Sequence, residues 1–145
     1  MPRVIDDLVI KLAKNAFGRA LARSMSLVVM DLARFTDTRN GDVVVTNCGI
    51  SERRGIGGPA VKATIKLLLE RQVVRKVEPA YERRTELQRL PGGFHRNRRY
   101  LIWNHQERWQ LPRDQEELVA MITQWNEYLG RSSQMRAKQV PTGTG

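Results

Sequence analysis

GIGGPAVKATIKLLLERQVVRKV, residues 55–77, decides how this chain is read. Gly55-Ile56-Gly57 makes a sharp turn. Pro59 suits the first position of a following helix, where its missing N–H would be unpaired in any case. Val61, Ile65, Leu68 and Leu69 recur at i, i+4, i+7 and i+8, the spacing of one apolar helical stripe. Lys62 and Lys66 lie one turn apart on an adjoining face, which taken alone is a solvated face. Ala63 and Thr64 are small enough to let a backbone approach closely. After Arg71, the run VVRKV (73–77) changes to the β-branched composition of a strand.

A second strand follows at RYLIW (99–103), with Pro91-Gly92-Gly93 as a turn signal between the two. Residues 71–99 hold nine cations (Arg71, Arg75, Lys76, Arg83, Arg84, Arg89, Arg96, Arg98 and Arg99) against three acids (Glu78, Glu82 and Glu86). Nine minus three is +6, over half of the chain's net +10. Most are arginines, whose planar fork matches phosphate geometry. Tyr81, Phe94 and His95 are interleaved with them. A cluster of like charges repels itself, so its concentration points to an anionic partner. The alternative is a basic loop that only solubilises.

Turn, helix and Arg-rich hairpin in this order resemble the winged helix-turn-helix superfamily, in the style of MarR-like regulators and of phage or plasmid replication proteins. The likeness covers residues 47–103, or 57 of 145. Ile50 falls where the first helix of the motif packs, and Gly55-Ile56-Gly57 matches its turn. Ala60 through Arg71 matches the recognition helix, and Val73-Val74 opens the wing. The resemblance implies a helix 59–71 in or along the major groove, with hairpin 73–103 clamping the adjacent backbone. It places Lys62, Lys66, Arg53 and Arg54 beside the groove. It sets Arg83, Arg84, Arg89, Arg96, Arg98 and Arg99 on phosphates or in a minor groove. The chain departs from the pattern in three places. Its recognition helix opens Gly58-Pro59-Ala60, without base-reading side chains. Asn47 to Arg54 contains Gly49 and is a weak helix former. Gln72 stands where a glycine often precedes the wing. These departures favour recognition of phosphate and shape over bases.

Upstream, residues 4–22 read as one amphipathic helix with Ile5, Leu8, Leu12, Ala16 and Ala20 on its apolar face. Ser24 to Ser26 suggests a break and a new N-cap. Residues 26–35 (SLVVMDLARF) read as a second, more buried helix, 36–42 as a turn containing Asn40-Gly41, and Val43 to Val45 as a short strand. Downstream, a helix over 115–129 starts with Asp114, Glu116 and Glu117 where the dipole favours acids. Its stripe is Leu118, Ile122, Trp125 and Leu129. Residues 131–145 read as a disordered tail. The expected fold class is therefore α+β, mainly helical: one winged-helix domain over 1–130 with extra N- and C-terminal helices. Two terminal stripes exceed what this core needs, so a homodimer through 4–22 and 115–129 is expected.

The inventory for chemistry is thin. Two histidines and a single cysteine do not make a usual Cys/His zinc site. There is no GxxxxGK[ST] loop, and Gly55 to Gly58 is too short for a dinucleotide fingerprint. Asp6-Asp7 and Glu116-Glu117 are neighbours on helices, so their side chains diverge. No enzyme, catalytic residue, metal or cofactor is expected. No run of about 18 apolar residues could span a membrane, and the N-terminus lacks a signal-peptide pattern. Lone Cys48 fits a reducing cytoplasm, as a small structural residue or a reactive thiol. The expected role is a cytoplasmic protein binding double-stranded DNA, with transcription regulation foremost. Replication or partition of a mobile element, RNA binding, or a protein-interaction module of a nucleoprotein complex are the alternatives, since winged helices serve all of these.

Overall fold

The computed structural model describes residues 2–78 and 98–139, the last eight by backbone alone. Helix α1 (Arg3–Lys14) buries Ile5, Leu8 and Leu12 along one face. It ends where Asn15 turns extended and its side-chain oxygen accepts the Phe17 N–H at 2.8 Å. A Cβ on Gly18 would lie 2.4 Å from the Leu12 carbonyl oxygen. Only glycine lets the chain double back that tightly. Helix α2 (Arg19–Arg34) then packs on α1. The break thus falls at 15–18, not at 24–26 as the serines suggested. Ser24 and Met25 are buried inside α2, where an N-cap has no role.

The turn over 36–42 forms as the sequence suggests, with Gly41 at φ +77° and its N–H bonded to the Asp37 carbonyl. Strand β1 (Asp42–Thr46) follows. Helix α3 (Asn47–Arg54) forms despite its weak propensity. The Thr46 hydroxyl caps it by accepting the Gly49 N–H at 2.9 Å. A Cβ on Gly49 would meet that hydroxyl at 2.8 Å and the Arg53 guanidinium at 2.9 Å, so the glycine is a close approach rather than a defect. Gly55, left-handed at φ +66°, ends the helix.

Helix α4 (Gly58–Glu70) buries two faces. Val61, Ile65 and Leu68 form the expected stripe, and Ala63, Thr64 and Leu67 are buried too. Pro59 is its second residue, a position that still has no intrahelical N–H bond to lose. Strands β2 (Val74–Lys76) and β3 (Arg98–Trp103) close an antiparallel sheet of order β1-β3-β2. Val43 pairs with Leu101 and Val74 with Trp103, which turns one sheet face onto the helices. Gln72, between α4 and β2, holds φ +61°, the left-handed conformation that the more usual glycine would adopt without strain.

After a 3₁₀ turn at Gln106–Arg108, helix α5 (Gln115–Gln139) packs on the second face of α4. Leu118, Met121, Ile122 and Trp125 are buried, and the Trp125 indole N–H donates to the Thr64 hydroxyl at 3.0 Å. The helix runs through 131–139, past the residue where a disordered tail was expected. The architecture is α+β and mostly helical. One core cluster holds buried residues of both α1 and α5. Ile5, Leu8 and Leu12 of the first stripe and Leu118, Ile122 and Trp125 of the second are thus buried within one chain, while Ala16 and Ala20 stay exposed.

Candidate nucleic-acid interface

With α2 and α3 on one side and α5 on the other, α4 keeps only a narrow ridge in solvent. Lys62, Lys66 and Glu70, spaced i, i+4 and i+8, are its exposed residues beyond the N-terminal cap region. The Lys66 ammonium stands 4.4 Å from the centre of the Tyr128 ring of α5, a cation–π distance. Tyr128 in turn accepts a hydrogen bond from the Gln124 amide at 2.8 Å. Gln124 accepts one from the Arg71 guanidinium at 3.1 Å. One polar chain therefore borders the ridge along the α4–α5 seam.

Arg53 and Arg54, on α3, have partners inside the fold. Both reach inward to Asp31 of α2, whose side chain is 0% exposed. Arg53 makes two bonds to the carboxylate, at 2.8 and 3.2 Å, and Arg54 one at 3.0 Å. Burial by itself would raise the Asp31 pKa. The arginine hydrogen bonds and charges outweigh it and hold the carboxyl below its ordinary value. The Arg53 guanidinium also lies 4.4 Å from the Phe35 ring centre. These two cations fasten α3 to α2, so both guanidinium groups are engaged within the fold, with 36% and 19% of the side chains still exposed. A signal was present in the sequence: Asp31 interrupts the apolar run SLVVM-LARF, and a buried charge needs a partner.

Arg99 is half-buried on β3 and donates to the Asn47 side-chain oxygen at 2.9 Å, tying the sheet to the start of α3. Burial lowers its guanidinium pKa from a value high enough that it stays charged. Arg98 is half-buried opposite Thr46, while Arg75 and Lys76 on β2 are exposed. Arg83, Arg84, Arg89 and Arg96, the main body of the basic hairpin, lie outside the described residues. Of ten sequence-derived contact residues, then, the ridge holds Lys62 and Lys66, the base of the hairpin holds Arg98 and Arg99, and Arg53 and Arg54 serve the core.

Open clefts lie elsewhere among the described residues. One of about 1000 Å³ is bordered by Arg71, Arg108, Arg113, Glu117 and Trp109. Another, about 540 Å³, is bordered by Thr36, Trp103, His105 and Trp109. Trp103 donates to the Thr36 hydroxyl and Trp109 to the Asn104 carbonyl, each at 2.9 Å, so both indoles hold the wall in place. Cys48 is exposed, and its contact with the Glu52 carboxylate raises the thiol pKa, which disfavours the reactive thiolate. Among the described residues no three His, Cys, Asp or Glu side chains gather as metal ligands would, and no helix is long and apolar enough to cross a membrane. No protein-family model, no curated protein and no solved structure matches the chain.

Proposed function

We propose that this chain is a winged-helix protein that binds duplex DNA chiefly through its backbone, with transcription regulation the role carried over from the resemblance. The observation that carries the reading is topological. The run α2, β1, α3, turn, α4, β2, β3, closing on a sheet of order β1-β3-β2, has the element order of a winged helix. In that arrangement the Arg-rich segment 77–97 is the connection of a hairpin entered directly from α4. The exposed cations of α4 add to it. α4 offers Lys62 and Lys66 but no Asn, Gln or Arg in its first turns to pair with base edges, which favours phosphate contacts that position without specifying.

The test is a salt series. Affinity for a labelled 20–30 base-pair duplex, read by anisotropy, is expected to fall with log–log slope near −4.5, the value for roughly five neutralised phosphates at about 0.9 each. A slope flatter than about −2 would mean few phosphates are engaged and would sink the reading. Tighter binding to duplex RNA or to single strands at the same salt would transfer the function to RNA.

A further inference from the structure

The cleft of about 1000 Å³ lies where the end of α4, the 3₁₀ turn and the start of α5 meet. Its volume is at the upper end of the roughly 300–1000 Å³ of ligand clefts. None of the residues assigned to DNA contact borders it, but three other arginines do. Arg71 is half-buried and fixed, donating to the Gln124 side chain at 3.1 Å and to the Gln110 carbonyl at 3.4 Å. Arg108 and Arg113 are exposed, and among the described residues no carboxylate pairs with either guanidinium. Glu117, on the same cleft, is committed to the start of α5. Its carboxylate accepts the Arg113 backbone N–H at 2.6 Å, and its own N–H donates to the Asp114 carboxylate at 2.8 Å. Two open guanidinium forks on a concave surface suit phosphate groups. Trp109 forms part of the wall. Its indole N–H is spent on the Asn104 carbonyl at 2.9 Å, and its ring centre lies 6.3 Å from that of Trp103. What it still offers a ligand is ring surface. Glu107, exposed on the 3₁₀ turn, adds a carboxylate that repels a bare phosphate chain and accepts from hydroxyls or amines.

We propose that this cleft binds a nucleoside diphosphate, with its two phosphates on Arg108 and Arg113, its base against Trp109 and its sugar hydroxyls on Glu107. The mixture of charges selects this class. A duplex backbone brings phosphates without free donors and meets two carboxylates, whereas a nucleotide brings phosphate, ring and hydroxyl together. Gln72 borders the same cleft at φ +61°. Strain of that kind is characteristic of ligand clamps, and the amide that glycine would lack is placed to join the site. The site does not depend on DNA binding.

The test is calorimetric titration of the full chain, without DNA, by ADP, adenosine and inorganic pyrophosphate. ADP should bind with a Kd below about 1 mM, and adenosine and pyrophosphate each at least about tenfold more weakly. No ADP binding in that range overturns the proposal. Pyrophosphate binding as tightly as ADP also overturns it, since the cleft would then take phosphate alone. Arg108→Ala with Arg113→Ala changes two exposed side chains and should keep the wild-type circular dichroism. It should weaken ADP by about tenfold or more, through lost charge-assisted hydrogen bonds; an unchanged affinity moves the ligand elsewhere and sinks the site. Lys62→Ala with Lys66→Ala removes the same charge from α4 and should leave ADP within about twofold. If ADP weakens as far there as in the arginine pair, it follows the chain's overall positive charge and the proposal fails. Gln72→Gly should weaken ADP by about threefold to tenfold, and an unchanged affinity overturns the part given to Gln72.

Discussion

Asp31 and its two arginines give the most searching test of which cations belong to the fold. At pH 7, Arg53→Ala with Arg54→Ala leaves a carboxylate with 0% exposed surface and none of its three hydrogen bonds. The group can escape by protonating, at a cost of about 1.4 kcal/mol for each unit between its ordinary pKa near 4 and pH 7, or about 4 kcal/mol. That ceiling agrees with the roughly 3–5 kcal/mol seen when one side of a buried pair is removed. At pH 5 the same ceiling is about 1.5 kcal/mol. Asp31→Asn is milder, about 1–3 kcal/mol, because side chains still 36% and 19% exposed can recover water. In the wild type the folded pKa is depressed. The stabilisation is therefore complete above the unfolded value near 4 and is lost as pH falls through the lower folded value. Urea denaturation at pH 5 and pH 7 reads all of this. The double arginine variant should be markedly less stable at pH 7, and its deficit against wild type should shrink by about 2–3 kcal/mol at pH 5. The triple Asp31→Leu, Arg53→Met, Arg54→Leu should regain most of the loss and bind DNA as wild type does. A double arginine variant with unchanged stability but weakened DNA binding would refute the argument and return both residues to the interface.

Three further outcomes are expected. Gln72→Gly should raise stability by about 0.5–1 kcal/mol in the same assay, since φ +61° strains a side chain that glycine lacks; a loss would mean that the glutamine side chain matters more than its backbone. Ile65→Asp should unfold the chain, as a charge buried without a partner costs several kcal/mol, whereas Lys62→Ala with Lys66→Ala should keep the wild-type circular dichroism; the reverse pattern would show α4 turned the other way. Sedimentation at micromolar concentration should give the mass of one chain, 16.7 kDa, because Ile5, Leu8 and Leu12 of α1 and Leu118, Met121, Ile122 and Trp125 of α5 are already buried within it. A dimer would have to use a different surface.

The sequence carried the periodic parts of this fold well. The stripe Val61, Ile65 and Leu68 became the buried face of α4, and the runs 73–77 and 99–103 became paired strands, because 3.6- and 2-residue patterns record burial directly. The turn at Asn40-Gly41 was legible for the same local reason. The break between α1 and α2 was not. Apolar spacing continues across residues 15–18, and what stops the helix is the Asn15 turn together with Gly18 set against Leu12. The candidate site suffered in the same way. The contact of Arg53 and Arg54 with Asp31 was not legible, because Asp31 is more than twenty residues away in the chain and contact across that distance leaves no periodic trace. Nothing local to Lys66 or Tyr128 says that the ammonium lies on the ring.

Counting cations overstates what a partner can reach. The chain has 25 Lys and Arg residues, but several around α3 and α4 have partners within the chain: Arg53 and Arg54 on Asp31, Arg99 on Asn47, Arg71 on Gln124, and Lys66 on Tyr128. These engagements cluster where α3, α4 and the sheet meet, the region that a sequence-reading protein would keep open for base edges. Among the described residues, exposed cations at its margins include Arg75 and Lys76 of β2, Lys62 and Arg131. An interface with its centre committed to packing and its positive charge at the rim gains affinity through counterion release and has little with which to distinguish bases. Any sequence preference in the proposed complex would then arise from the ease with which a duplex bends toward those margins, at steps such as TA or CA that deform cheaply.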